Sequence, residues 1–563
     1  MKKLAYLISS ALFIFVLAAC GTAGGDTAPT AGDAAAPAAQ PADTADTSDT
    51  AAQNDSGTTQ LSVLTWDRGG VGNVNAADNF FTQWIQERVL EDLNMEVTFE
   101  AIGRWDEDET LPTMMAAGMV PDLAMTWNEG MVEHFGNLGG ILNLAPLLEE
   151  HLPSLPNLSA WTDYLLYQNQ NPATGEIFSI MQRRVHVPRL NMFMREDWLN
   201  TLGLPAPTTT AQFADTLRAF RDNADALGVD MMVPWAIGSV LHISGSPLLD
   251  AYIDHASVND VDWWVNTVGN SSLNQRHIFL PGYREGVRIL SQWYDEGLIL
   301  QDFPVVDGTF IDDLIIAGNA GVYVGNWDHP WRTTPNIQNR MAEENPEARL
   351  IPIDPFPNPV DGRTYKMIYP SSGFHIFIPT VSRNPVGALQ YLDWMSRIEN
   401  RLFLQTGVEG YHHEWTEVDG VATPAMLPVD EATSERRWYS PNNIDLTLVI
   451  NNVDVGDPLA NVMFLTFNFP GIDSQRIIDS YDIAMANGRA PRMITIPGGV
   501  PITSEFLPTF TQMVDDFLVN VVTSPAENFD SLWDEGIQNI LNAGAQAAID
   551  ERRAGVEALG LVD

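Results

Sequence analysis

The chain of 563 residues contains a single cysteine, Cys20. No intramolecular disulfide can form, so a body of this size must rest on its hydrophobic core alone. Positive charge is also scarce, since 29 Lys and Arg stand against 73 Asp and Glu, for a formal net charge of −44. That balance speaks against nucleic acid as a partner, because phosphate backbones are held by clustered cations. The acidity reads instead as a surface adaptation. Beyond the N-terminal residues there is no second run of about 18 or more apolar residues, so the body offers no membrane-spanning helix. Catalytic signatures are missing too. No Gly-x-Ser-x-Gly element, phosphate-cradling loop or His-Glu-x-x-His spacing occurs, and no internal repeat is visible.

What is present begins with Met1-Lys2-Lys3 and an apolar stretch from Leu4 to Leu17, interrupted by Ser9 and Ser10. A basic start, an apolar middle and a small-residue end describe a signal peptide over 1–19. The segment Leu17-Ala18-Ala19-Cys20-Gly21 resembles the lipobox of bacterial lipoproteins. The resemblance implies cleavage before Cys20, a lipid on its thiol and attachment to the outer face of the cell membrane. Residues 20–59 are chiefly Ala, Thr, Pro, Gly, Asp and Ser, with hardly a large apolar side chain. Such a segment cannot bury enough surface to offset the entropy of ordering it, and it reads as a disordered tether. The whole chain is 45% apolar and 9% aromatic, a globular composition, and the residues after 59 leave room for two or three domains.

Along the body, Leu61–Trp66 alternates as a strand, a helical period runs through Phe81, Trp84, Ile85 and Val89, and a second strand covers Met95–Ala101. A helix over Thr110–Ala117 and a strand over Asp122–Trp127 continue the alternation, which makes this an α/β protein. Ligands gather beyond the carboxyl ends of strands in open α/β sheets, and Trp66 and Trp127 each close a strand. Leu190–Arg195 is a strand, Thr208–Thr210 caps a helix through Phe213, Leu217 and Phe220, and a buried strand before Trp327 empties into an aromatic loop. A strand pair broken at Ser371-Ser372-Gly373 precedes one long helix predicted over Pro385–Phe403, and the final hundred residues are helical.

The order of these pieces resembles the family 1 extracellular solute-binding proteins, in particular the lipoprotein branch of sugar and oligosaccharide receptors of ABC importers. Four segments carry the likeness: Arg195-Glu196-Asp197-Trp198-Leu199-Asn200-Thr201-Leu202-Gly203-Leu204; Ile316-Ala317-Gly318-Asn319-Ala320-Gly321-Val322-Tyr323; Ser371-Ser372-Gly373-Phe374-His375-Ile376; and Gly407-Val408-Glu409-Gly410-Tyr411-His412-His413-Glu414-Trp415. The resemblance implies a two-lobed periplasmic-binding-protein-like fold of class II type, with hinge crossings and extra helices. Lobe 1 is expected from 60–187 and 374–490, and lobe 2 from 188–373 and 491–563. It also implies a monomer that closes on its ligand by a hinge motion and delivers it to ABC permease subunits. Several relatives carry a calcium-holding Asp-Pro-Asn-Gly-Asn-Gly loop after the helix that ends near Phe220. Here Ala224, Ala226 and Leu227 stand where oxygen ligands would be, so no metal and no cofactor is expected.

Sugars present apolar faces and rims of hydroxyls, so a sugar receptor needs aromatic platforms with amide, carboxylate or guanidinium groups beside them. Among 16 Trp, those in loops are the candidate platforms: Trp66, Trp127, Trp235, Trp327 and Trp331. A tryptophan is more often core than platform. Asp67 and Asp328 flank two of them. Arg183 and Arg184 lie just before the expected crossing, where one of them can fork onto hydroxyls or a uronate carboxylate, although a salt bridge to one of the many acids is at least an equal alternative. Ser371 at the return crossing and Tyr411 complete the candidate set. The competing functions are a surface-anchored glycoside hydrolase, which needs two carboxylates about 5 to 10 Å apart in a cleft, and a peptide receptor of similar fold.

Overall fold

The computed structural model describes residues 57–561, apart from 69–74, 161–168, 172–173, 269–275, 333–334, 354–355, 419, 428–444, 453, 455–457, 467–471, 491–493, 495 and 497–498. The signal peptide, Cys20 and nearly all of the expected tether lie outside the described residues.

The described part opens with β1 (Thr59–Asp67), α1 (Phe80–Leu93) and β2 (Met95–Gly103). Asn79 starts α1 with a capping box, its side chain accepting from the Phe81 and Thr82 amides while the Thr82 hydroxyl accepts from the Asn79 amide. Phe81, Ile85 and Val89 bury one face of α1. This helix is the crossover that lets β1 and β2 pair in parallel. Then come α2 (Glu107–Ala117), β3 (Ala124–Thr126) and α3 (Glu129–Asn137). Further along, β4 (Ile180–Arg183) and the later strand Ser372–Phe377 form a second set with β3, in which Ser372–Phe377 is central and antiparallel to both neighbours. A bridge from Val63 to Leu123 ties β1 to the segment leading into β3. One continuous apolar core covers these strands, drawing on Leu61, Ile85, Met125 and Ile180 and, from far along the chain, Phe374, Leu389, Trp394 and Ile450.

A second sheet is built from β5 (Leu190–Arg195), β6 (Val233–Trp235), β7 (Ala320–Asn326) and β8 (Leu350–Ile353), in the order β6-β7-β5-β8. β5 runs antiparallel to β7 and β8, and β6 runs parallel to β7. Its two faces are covered by separate cores. One gathers Trp198, Phe213, Trp235 and Trp293 with the C-terminal helices through Phe510, Val514 and Phe529. The other holds Phe193, Tyr323, Trp331 and Ile337. Gly321 on β7 is where a helix comes close, since an added Cβ would stand 2.6 Å from the Phe220 ring and 2.8 Å from Trp198. The strand pair anticipated around 366–380 is present as β9 (Lys366–Met367) and β10 (Ser372–Phe377), but they pair with other partners and not with each other.

Two expectations differ from what is observed. The single helix predicted over Pro385–Phe403 is two helices, Pro385–Ser396 and Ile398–Thr406. Arg397 is extended, with ψ of 135°, and the break is held by Asn400 donating to the Trp394 carbonyl and Arg401 to that of Ser396. These bonds satisfy carbonyls that the end of the first helix leaves open. Apolar spacing runs through the break, so periodicity could not reveal it. The stretch expected within lobe 1 up to residue 490 also divides, because Val462, Ile477 and Ala484 pack with the second sheet. Asn191 on β5 donates to the Ser480 carbonyl and hydroxyl at 2.8 Å, which fixes the helix Ser474–Met485 there.

Away from the strand ends the two assemblies also meet through α3 and the C-terminal helices, around a small cavity of about 40 Å³. Glu129 and Glu133 line it together with Arg552, whose guanidinium lies 3.7 Å from the centre of the Trp264 ring. Burial pushes both carboxyls well above their ordinary range, and the charge of Glu133 adds to the effect at Glu129. Among the described residues no helix is long and apolar enough to cross a membrane.

Candidate ligand-binding site

Parallel pairing brings the carboxyl ends of β1 and β2 to the same edge, with Trp66 opposite Ile102 and Asp67 opposite Gly103. β3 ends beside them, so Trp66 and Trp127 stack with centroids 6.3 Å apart and planes inclined by 14°. Phe374 of β10 meets both rings edge-on, at 5.1 and 5.6 Å. Arg104, just past β2, lays its guanidinium 4.6 Å from the centre of Trp66 and 5.8 Å from that of Trp127. Glu107 fixes this arrangement from behind. It is 3% exposed, pairs with Arg104 at 2.9 Å, and accepts from the Thr126 hydroxyl and, at 2.7 Å, from the Trp127 amide. Burial is the largest influence on the pair, raising Glu107 and lowering Arg104 from their ordinary values, while their opposite charges resist it.

The facing wall comes from the second sheet. Arg189 immediately precedes β5, and Tyr323 and Asn326 lie on β7, whose antiparallel pairing sets Asn326 against Leu190. Asp312 on the helix Gly308–Ile316 stands 3.8 Å from His329 Nε2. Burial and then the charge of Asp313 push Asp312 up to about 7, whereas burial and then Arg332 bring His329 down to about 4. Neither is a full charge near neutrality. Tyr369, on the segment between β9 and β10, donates to Asn326 Oδ1 at 3.2 Å. Arg184 bridges the two walls, 4.3 Å from the Tyr369 centroid and 5.2 Å from that of Trp127. Between the walls is a cavity of about 480 Å³, lined by Arg104, Trp127 and Asn128 on one side and Arg189, Tyr323 and Asn326 on the other. A volume of that size lies in the range of small-molecule sites, about 300–1,000 Å³.

Only part of the candidate set reaches this cavity. Trp127 lines it, and Trp66 supports Trp127 from the buried side at 0% exposure. Asp67 is exposed at the strand end, and its carbonyl accepts from the Arg104 amide. Arg183 forms the alternative salt bridge, 2.6 Å to Asp454. Its neighbour Arg184 is the one set among the rings. Trp235 is fully buried between Phe213 and Trp293, because it sits on β6 beneath the helices and not in a loop. Trp327 is 5% exposed against Tyr481 and His186, and Trp331 is 1% exposed, edge-on to Phe193. Both pack in the core with Phe193 and Ile337 and are not among the residues that line the cavity. Asp328 pairs with Arg332 at 2.7 Å. Ser371 is exposed and contributes its carbonyl to the Arg184 amide, while Tyr411 stands edge-on to His412.

Sequence reasoning passed over Arg104, Asn128, Arg189, Tyr323, Asn326 and Tyr369. A usable signal existed, since Arg104, Asn128, Arg189 and Asn326 adjoin or close strands that were themselves read correctly or nearly so. Ring size does not distinguish a wall from a core.

The fold so described is that of the two-lobed extracellular solute-binding proteins of ABC transporters. Among solved structures, the alginate-binding protein AlgQ2 superposes with a TM-score of 0.60 at 16% identity, covering 88% of this chain and 98% of that one. The Streptococcus pneumoniae ABC-transporter substrate-binding protein FusA, solved with kestose, superposes at 0.61 and 16% identity over 90% and 100% of the respective chains. Among curated proteins, lipoprotein LipO of Bacillus subtilis is 28% identical over 324 residues, 55% of this chain and 59% of the relative. The polygalacturonan/rhamnogalacturonan-binding protein YtcQ of the same organism is 23% identical over 273 residues, 47% and 50% of the two chains. The matched stretches thus span between half and three-fifths of those relatives. No family model matches the chain.

Proposed function

We propose that this protein is the lipid-anchored, outward-facing receptor of an ABC importer, and that it captures an oligosaccharide in the cavity between its two sheets and hands it over unchanged. The observation that carries the reading is the meeting, around about 480 Å³, of indole and phenol rings with guanidinium and amide groups supplied by two separately cored assemblies. Rings match the apolar faces of pyranoses, and planar polar groups match their hydroxyls. Binding names on both kinds of relative support the same ligand class, with alginate for AlgQ2 and polygalacturonan for YtcQ. The lipobox at Cys20 and the lipoprotein relative LipO support the anchor.

The lobes of this reading are 60–187 with 374–457, and 188–373 with 458–563, the helix Ser474–Met485 being counted with the second because it packs on that sheet. Closure brings the walls together, and release follows reopening. Trp127, Arg104, Arg184, Tyr369 and Asn326 are the contacts we assign to the ligand, and no residue is assigned a catalytic role.

The test is a melting-shift screen of the purified protein against plant and bacterial oligosaccharides, with the sugar recovered afterwards. A ligand at about 100 times its Kd adds about 2.7 kcal/mol by mass action. Stabilisation with intact sugar is expected. Shortened sugar at catalytic rates favours a hydrolase, and stabilisation by peptides alone favours a peptide receptor.

A further inference from the structure

Arg189 differs from four arginines of the same region that are paired with acids. Arg68 is held by Asp445, Arg104 by Glu107, Arg183 by Asp454 and Arg332 by Asp328, all at 2.6 to 2.9 Å. Arg189 is 6% exposed and lines the cavity, yet among the described residues its guanidinium has no ion pair and no hydrogen bond. In a chain where acids outnumber basic residues 73 to 29, the cheapest way to bury an arginine is beside an acid. The nearby acids are otherwise engaged. Glu107 is bonded to Arg104, Thr126 and Trp127, Asp108 accepts from Asn128 at 3.0 Å, and Asp515, which faces His242, accepts from Arg276 at 3.0 and 2.9 Å. Asp312 is held toward its neutral form by burial. Among the described residues the ring beside Arg189 is that of Tyr369, 5.9 Å from its guanidinium, which flanks the group without neutralising it.

A buried cation that the protein leaves uncompensated at the wall of a binding cavity is matched by an anion on the ligand, and a guanidinium fork matches a carboxylate in two parallel hydrogen bonds. We infer that the cavity selects acidic oligosaccharides, with Arg189 seating the carboxylate of a uronic acid residue. This rests on the receptor reading above and narrows it from sugars in general to uronides. It also accounts for a local cation in a protein whose surface charge would repel an acidic sugar, because the selective contact is buried and little screened.

Titration calorimetry on the purified protein decides the matter with three trisaccharides: trigalacturonate, its methyl ester and neutral galactotriose. Removing one member of a buried, hydrogen-bonded charge pair costs 2 kcal/mol or more, so trigalacturonate is expected to bind at least about 30-fold tighter than either neutral sugar. Arg189→Met should bring that ratio close to one, and Arg189→Lys should restore part of it. Neutral sugars that bind wild-type protein as tightly as the acid, or an Arg189→Met variant that keeps the preference, would overturn the inference and leave the sugar-receptor reading standing. Should no sugar bind at all, across these three and the wider screen, the receptor reading falls and the inference with it. If Arg189→Met does not fold, the three ligands on wild-type protein still decide, since the ester differs from the acid mainly in charge.

Discussion

Replacing Trp127 by alanine separates a cavity wall from a core residue. The indole stacks on Trp66 and takes the edge of Phe374, contacts worth about 0.5–1.5 kcal/mol each. Arg104 and Arg184 lie 5.8 and 5.2 Å from its centre and add about 0.5–1 kcal/mol each. A fully buried Trp→Ala change costs about 3–5 kcal/mol, but this ring is open to the cavity on one side, so about 2–3 kcal/mol is expected. The Glu107 contact to the Trp127 amide is made to backbone and survives the change. Urea unfolding should therefore show a lowered midpoint, while affinity for the oligosaccharide found in the screen should fall by about tenfold or more; Trp127→Phe should recover most of both. Trp235→Phe supplies the contrast, for it sits at 0% exposure in the core and should lower stability without changing affinity. Unaltered sugar affinity in Trp127→Ala, with stability reduced as calculated, would refute the assignment of this ring to the ligand.

Other outcomes follow from named contacts. Asp445→Ala leaves Arg68 without the two hydrogen bonds it makes at 2.6 and 2.7 Å; because the Arg68 side chain is 28% exposed, the loss in a urea titration should sit at the low end of the range for buried pairs, about 3 kcal/mol. Asp312 has its carboxyl raised to about 7 by burial, so its contribution to stability is fully present below its ordinary value of 3.8 and is lost as pH rises through about 7. Asp312→Asn should accordingly flatten the fall in Tm between those limits and raise Tm most above pH 7, and a variant whose Tm–pH curve runs parallel to wild type would contradict this. Cys20→Ala should move the protein from the membrane fraction into the medium, checked by fractionation and by intact mass of the mature chain.

Much of the frame was legible in the sequence because it depends on local patterns. Alternation in Leu61–Trp66 and Leu190–Arg195 and the 3.6-residue period after Asn79 announce their elements without reference to the rest of the chain. The placement of Trp66 and Trp127 at neighbouring strand ends was also readable, because ligands of open α/β sheets collect at that edge. The extended Arg397 was not readable, since both flanking helices keep an apolar period and the break is held by side chains that bond locally. Trp235, Trp327 and Trp331 misled for a related reason. An indole has one appearance in sequence whether it faces a cavity or a helix, and only the packing around Phe213, Tyr481 and Phe193 tells which.

Composition and local pattern alone therefore determined the lone cysteine, the absence of intramolecular disulfides and the α/β alternation, because each is a property of the residue count or of adjacent residues. Tertiary structure decided which arginine takes an acid and which is left at the cavity, which rings become wall, and which sheet claims the helix Ser474–Met485. Those choices join residues up to several hundred positions apart, as between Arg68 and Asp445, and the free energy of such a contact depends on partners that no local window contains.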